Sequence, residues 1–164
     1  MGTSKQAPRK PAEVLLVENN SSDIRLMQEA FRESAGSSKL NVARDGEQAL
    51  AFLRGHKPYE NSPRPAYILL DLNLPNKGGW EVLGEIKQDE SLRSIPVVVF
   101  PTSTGAQDVA HAYALHANVY IPKPTGLDKL VKVREEIERF WLETAALPAE
   151  VSSSLPTRAC QRTS

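Results

Sequence analysis

Four short polar sets in this sequence carry the side chains of phosphoryl chemistry: Glu18-Asn19, Asp71, Pro101-Thr102-Ser103 and Lys123-Pro124. Each stands at the end of an aliphatic run, and together they supply carboxylates, hydroxyls and an ammonium. A site in which a carboxylate acts as nucleophile, oxygen ligands hold a divalent cation and a lysine pairs with the transferred group needs this inventory. The sets are far apart in sequence, so they meet only if the runs before them are strands of one open parallel sheet, whose carboxyl ends share an edge.

The runs satisfy that condition. Val14-Leu15-Leu16-Val17 is short and continuous, the pattern of a strand buried on both faces, and Glu18 ends it. Ser21 or Ser22 is placed to cap a following helix in which Ile24, Met27 and Phe31 recur at helical spacing, and Gly36-Ser37-Ser38 closes it. The unit recurs as strand 40–43 with helix 46–54, whose Ala49, Leu50 and Leu53 point inward, and as strand 67–70 with a helix carrying Val82, Leu83 and Ile86. Strand 95–100, helix 107–115, strand 119–121 and a long helix 127–142 complete the series, the last with Leu130, Val133, Ile137 and Phe140 on one face. Alternation of this kind predicts an α/β fold, a doubly wound parallel sheet of five strands flanked by five helices. The polar, proline-rich stretch 56–65 reads as a surface loop.

Composition narrows the function. With 164 residues the chain has room for one well-buried domain, expected over 13–148 with its C-terminal helix and arm. Residues 1–12 are expected to form a flexible N-terminal segment and 149–164 a disordered tail without periodicity. Lys+Arg and Asp+Glu both number 20, so no global field draws the chain to nucleic acid or to an anionic membrane. Cys160 is the only cysteine, which excludes a disulfide framework and fits a reducing cytoplasm. No apolar run approaches the ~18 residues of a membrane span, and His56, His111 and His116 lack metal-ligand spacing and read as surface residues.

LLVENN, ILLDLNLPNKGGWEVL, IPVVVFPTS and ANVYIPKP resemble, in order and spacing, the successive signatures of response-regulator receivers, and they span nearly all of the expected folded region. DLNLP, the proline-rich loop before the third strand and the terminal FWLETAALP are similar to the small single-domain regulators that partner phytochrome and other sensor histidine kinases. The resemblance implies a flavodoxin-like receiver fold with strand order 2-1-3-4-5. It implies a signalling protein rather than a metabolic enzyme, with weak autophosphatase activity at most. Asp71 would be the phosphoacceptor, taking a phosphoryl group from a phosphohistidine of a sensor histidine kinase, and Lys123 would pair with that group. Mg²⁺ would be held by Glu18, Asn19, Asp71 and the backbone carbonyl of Asn73. Tyr120 would be the switch aromatic that moves inward, a cis peptide would join Lys123 to Pro124, and the contact of a hydroxyl with the phosphoryl group would fall to Thr102 or Ser103 through a loop shift. Tyr120 also reads as an ordinary strand tyrosine.

Two positions depart from the family pattern. Asn19 stands where a second acidic residue follows the first strand, and a carboxylate ~4 Å from a single positive charge contributes on the order of 4 kcal/mol before desolvation. Weakened Mg²⁺ affinity is the expectation, since an amide oxygen still coordinates. Pro101 replaces the family's Thr or Ser after the fourth strand and brings neither hydroxyl nor N–H. Both changes support a second reading, a degenerate pseudo-receiver that acts as a phosphorylation-independent interaction module. A flavin-binding reading of the same fold class lacks a glycine-rich phosphate cradle in ENNSSD and leaves Asp71 with Lys123-Pro124 unexplained. Trp141, Leu142, Leu147 and Pro148 form an apolar arm suited to a homodimer through the last helix, or Trp141 packs on its own core.

Overall fold

The computed structural model describes residues 10–33, 38–101 and 105–144, the side chains of 142–144 excepted. Five strands alternate with five helices: β1 Ala12–Val17, α1 Ser21–Arg32, β2 Ser38–Ala43, α2 Gly46–Arg54, β3 Tyr67–Leu70, α3 Gly79–Gln88, β4 Val97–Val99, α4 Ala106–Ala114, β5 Val119–Tyr120 and α5 Leu127–Glu138. A π-helical turn, Arg139–Thr144, continues α5. The sheet is parallel throughout in the order β2-β1-β3-β4-β5, as expected for this class.

The period-two alternation of strand side chains divides the core between two faces. Leu15, Val17, Ile68, Leu70, Val97 and Val99 pack with residues of α2, α3 and α4, including Leu50, Leu83 and Ala112. Val14, Leu16, Tyr67, Leu69, Val98 and Phe100 pack with Ile24, Met27 and Phe31 of α1 and with Leu130 and Ile137 of α5. Both faces are covered, which is why the strands read as unbroken apolar runs. Leu-to-Ala truncation in so dry a layer costs about 2–5 kcal/mol.

Several details differ from the expectations. Asn20 caps α1 in place of Ser21 or Ser22: its backbone is extended (φ −75°, ψ 117°) and its Oδ1 accepts the Asp23 N–H at 3.0 Å. The Asn20 N–H is itself fixed to Glu18 Oε1 at 3.0 Å, so the chain turns one residue early and both serines fall inside the first turn. β2 starts at Ser38, where it pairs with Ala12. β4 is shorter than 95–100 because Pro96 and Pro101, which lack N–H groups, bracket it, although Ile95 and Phe100 remain buried. At the end of α5, Phe140 is 54 % exposed instead of inward, and Trp141 takes the core-facing position. A π turn adds close to one residue per turn, which rotates position 140 off the apolar stripe and 141 onto it.

Segment 56–65 carries no helix or strand, as expected of a loop, but Tyr59 anchors it against Phe52 with ring centroids 5.8 Å apart. His111 is exposed and stacks on Trp80 at 4.2 Å, joining α4 to α3. Among the described residues no helix is long and apolar enough to cross a membrane. The arm residues Leu147 and Pro148, the 149–164 tail and most of the N-terminal segment lie outside the described residues.

Candidate functional site

Register brings the polar sets together. Val17 pairs with Leu70, Leu70 with Val99 and Val99 with Tyr120, so these strands end in one row. Glu18 and Asp71 follow directly at the adjacent ends of β1 and β3, where the strand order reverses and open α/β sheets form a crevice. Backbone bonds hold both: Glu18 N–H to Ala43 O at 3.0 Å and Asp71 N–H to Val17 O at 3.0 Å. Gly79, at the start of α3, lets that helix approach the loop after Asp71; a Cβ there would meet the Asp71 carbonyl oxygen and lie 2.5 Å from Leu72 Cα.

Lys123 reaches the same place from the loop after β5. Its backbone N–H donates to the Pro101 carbonyl at 2.7 Å, so the proline that removes a hydroxyl still holds the lysine through its carbonyl. The peptide bond from Lys123 to Pro124 is trans, contrary to expectation; the cis bond among the described residues is Lys57–Pro58. Lys123 Nζ donates to Glu18 Oε2, lies 3.1 Å from Asp23 Oδ2 and 3.6 Å from Asp71 Oδ2. Glu18 and Asp71 are buried, 1 % and 4 % exposed. Burial pushes the Glu18 carboxyl up, against the pull of its bonds to Lys123 and to the Asn20 N–H. For Lys123 burial pulls downward, but its bond to Glu18 and the charges of Glu18 and Asp71 prevail and hold the ammonium above its ordinary value.

The other residues expected at the site fall as follows. Asn19 is exposed and lines a polar cleft of about 270 Å³ together with Glu18, Asn20, Asp23, Asp71, Asn73 and Lys123. The Asn73 N–H donates to Asp71 Oδ1 at 3.4 Å. Tyr120 is half-buried against the α2–α4 face of the core; burial, and then the Asp108 carboxylate on α4, raise its phenol. Pro101 is buried, and Thr102 with Ser103 lies outside the described residues.

Asn20 and Asp23 were missed by the sequence reading. An Asn before a serine pair and an Asp in a first turn read as capping residues, and their capping bond is indeed present. What sequence spacing does not convey is that α1 starts beside the β5 loop, which puts the Asp23 carboxylate on Lys123.

Three carboxylates against one ammonium leave an excess of two negative charges in a largely buried cleft. The donors are all oxygens, the set preferred by hard divalent cations that retain water ligands. Among the described residues no three acidic, histidine or cysteine side chains form a ready-made cation cage. The Lys123 ammonium stands among the carboxylates, so a cation and this lysine compete for Glu18 and Asp71.

Comparison with known proteins agrees with this geometry. Residues 14–135 match the model of the response regulator receiver domain. The response regulator Rcp1 of Synechocystis sp. is 52 % identical over 139 residues, covering 85 % of this chain and 95 % of that protein. Its Mn²⁺-bound form has been solved and superposes with a TM-score of 0.76 at 52 % identity, over 85 % of this chain and all of the other (100 %). The phosphorylated cyanobacterial phytochrome response regulator RcpA superposes with a TM-score of 0.79 at 49 % identity, over 85 % of this chain and 99 % of the other. With its crevice at the β1–β3 switch point, its buried acids and its strand-end lysine, the chain belongs to the response regulator receiver family.

Proposed function

We propose that this chain is the receiver of a two-component phosphorelay, accepting a phosphoryl group on Asp71 from a sensor histidine kinase and signalling by protein contact. The observation that carries this reading is the position of Asp71: 4 % exposed, at a strand end, on a polar cleft that it shares with Glu18 and Lys123. The similarity to Rcp1 and to a phytochrome response regulator favours a phytochrome-type kinase as partner.

In the transfer, an Asp71 carboxylate oxygen attacks the phosphorus of a phosphohistidine. An O–P bond forms, the P–N bond breaks, and its electron pair returns to the imidazole. Asn73 N–H steadies the attacking carboxylate through Oδ1. Lys123, already 3.6 Å from Asp71 Oδ2, pairs with the transferred group. Glu18, Asp71, the Asn19 amide oxygen and the Asn73 carbonyl would hold Mg²⁺, which would supply charge neutralisation for the attacking and transferred oxygens. A hydroxyl of Thr102 or Ser103 would contact the phosphoryl group, and attack of water on the acyl phosphate would give weak autophosphatase activity at most.

A second reading has its own support. Pro101 is buried and has no hydroxyl to draw Tyr120 inward, which favours contact signalling without an efficient phosphorylation cycle. Acetyl phosphate with Mg²⁺, followed by borohydride reduction and peptide mass spectrometry, separates the two. The acceptor reading predicts that position 71 alone is converted to the reduced residue. An unmodified Asp71, with a competent receiver modified alongside, would establish the interaction module. For assembly we propose a homodimer through the last helix and the C-terminal arm; Phe140, in the π turn that continues α5, presents an aromatic face to solvent.

A further inference from the structure

We infer that Asp23 supplies the negative charge that Asn19 fails to supply, acting as the resting and working counter-ion of Lys123 so that Glu18 and Asp71 are released to a divalent cation. The inference rests on the phosphoacceptor reading of the cleft. Its basis is a charge balance. Glu18, Asp71 and Lys123 alone carry one net negative charge, which is one short of a dication. Asp23 raises the excess to two, which a dication neutralises.

Geometry supports that role for Asp23. Its Oδ2 lies 3.1 Å from Lys123 Nζ, nearer than Asp71 Oδ2 at 3.6 Å. Its side chain is 34 % exposed, against 2 % for Glu18 and 5 % for Asp71, so it sits at the mouth of the cleft, on the solvent side of the lysine. The Asn20 cap fixes the backbone N–H of Asp23 and thereby its place in the first turn of α1. Asp23 acts through the lysine, its carboxylate 3.1 Å from Nζ, and is in this sense a positioning residue. When Glu18 turns to a cation, the ammonium retains Asp23 and remains beside Asp71.

Asp23→Asn tests this while keeping the shape and the backbone cap. Mn²⁺ affinity is titrated by electron paramagnetic resonance on the full chain, with circular dichroism to verify folding. Four proteins are compared: wild type, Asp23→Asn, Asn19→Asp and the double variant. Asp23→Asn should weaken Mn²⁺ binding roughly tenfold, the effect of about one unit of pK, and Asn19→Asp should restore it in the double variant. Rescue by an acid at position 19 reports charge; a purely structural role for Asp23 would not respond to it. Unchanged affinity in Asp23→Asn, with tight binding by the wild type, would overturn the inference and leave the site intact. Absence of Mn²⁺ binding in both wild type and Asn19→Asp would overturn the cation site itself, and the inference with it.

Discussion

At the carboxyl edge of the sheet Lys123 faces three carboxylates, whereas beside β2 the buried guanidinium of Arg134 pairs chiefly with one, Glu138 at 2.5 Å. The second acid near Arg134, Glu135, lies 3.8 Å away and is solvent-exposed. Glu138 also accepts from Ser38 Oγ, so this cluster ties α5 to the first residue of β2. Tyr67 Oη and Arg134 Nε are buried nearby and find no hydrogen-bond partner among the described residues. One cluster is charge-balanced and closed; the other holds surplus negative charge and opens into a cleft. Buried surplus charge lowers stability unless a cation neutralises it, so a cation should stabilise the Lys123 cluster and not the Arg134 cluster.

Four perturbations separate the two clusters. The largest is Arg134→Met, which strands Glu138 and should cost about 3 kcal/mol in urea unfolding, with no recovery on adding Mg²⁺. Lys123→Met should cost about 2 kcal/mol without metal, but millimolar Mg²⁺ should restore most of it, because a dication stabilises the same carboxylates. Equal responses of the two variants to Mg²⁺ would erase the distinction between the clusters.

A smaller effect follows from Glu18. Its folded-state pKa is raised by burial, so the folded protein binds the proton more readily than the unfolded chain. Its contribution to stability is therefore complete below the ordinary 4.5 and is lost as pH rises through the elevated folded value. Thermal melts of metal-free protein should show Glu18→Gln lacking that component of the pH dependence. The smallest effect on folding is Phe140→Ser, within about 0.5 kcal/mol for an exposed side chain. Sedimentation should nevertheless show this variant shifted to monomer if α5 forms the homodimer.

The fold was legible because strands buried on both faces must be continuously apolar, and Val14–Val17 and Tyr67–Leu70 have no other reading in an alternating chain. Asp71 was legible for the same reason, as the polar residue that ends such a run. Asp23 was not, because its partner is 100 residues away and only the docking of α1 beside the β5 loop joins them. Phe140 and Trp141 are adjacent aromatics that both suit an apolar stripe, and a local π turn, invisible to a period of 3.6, decides between them. Asn20 outcompeted Ser21 and Ser22 as cap through a backbone bond to Glu18, a tertiary constraint on a local choice.

Phosphoryl acceptance at Asp71 is the proposed use of the surplus charge. Transfer of labelled phosphate from an autophosphorylated sensor histidine kinase, with Mg²⁺, to the wild type and to Asp71→Asn tests it most directly. Label on the wild type and none on Asp71→Asn is the predicted result. Equal labelling of the two, or none on either while a competent receiver is labelled alongside, would contradict it.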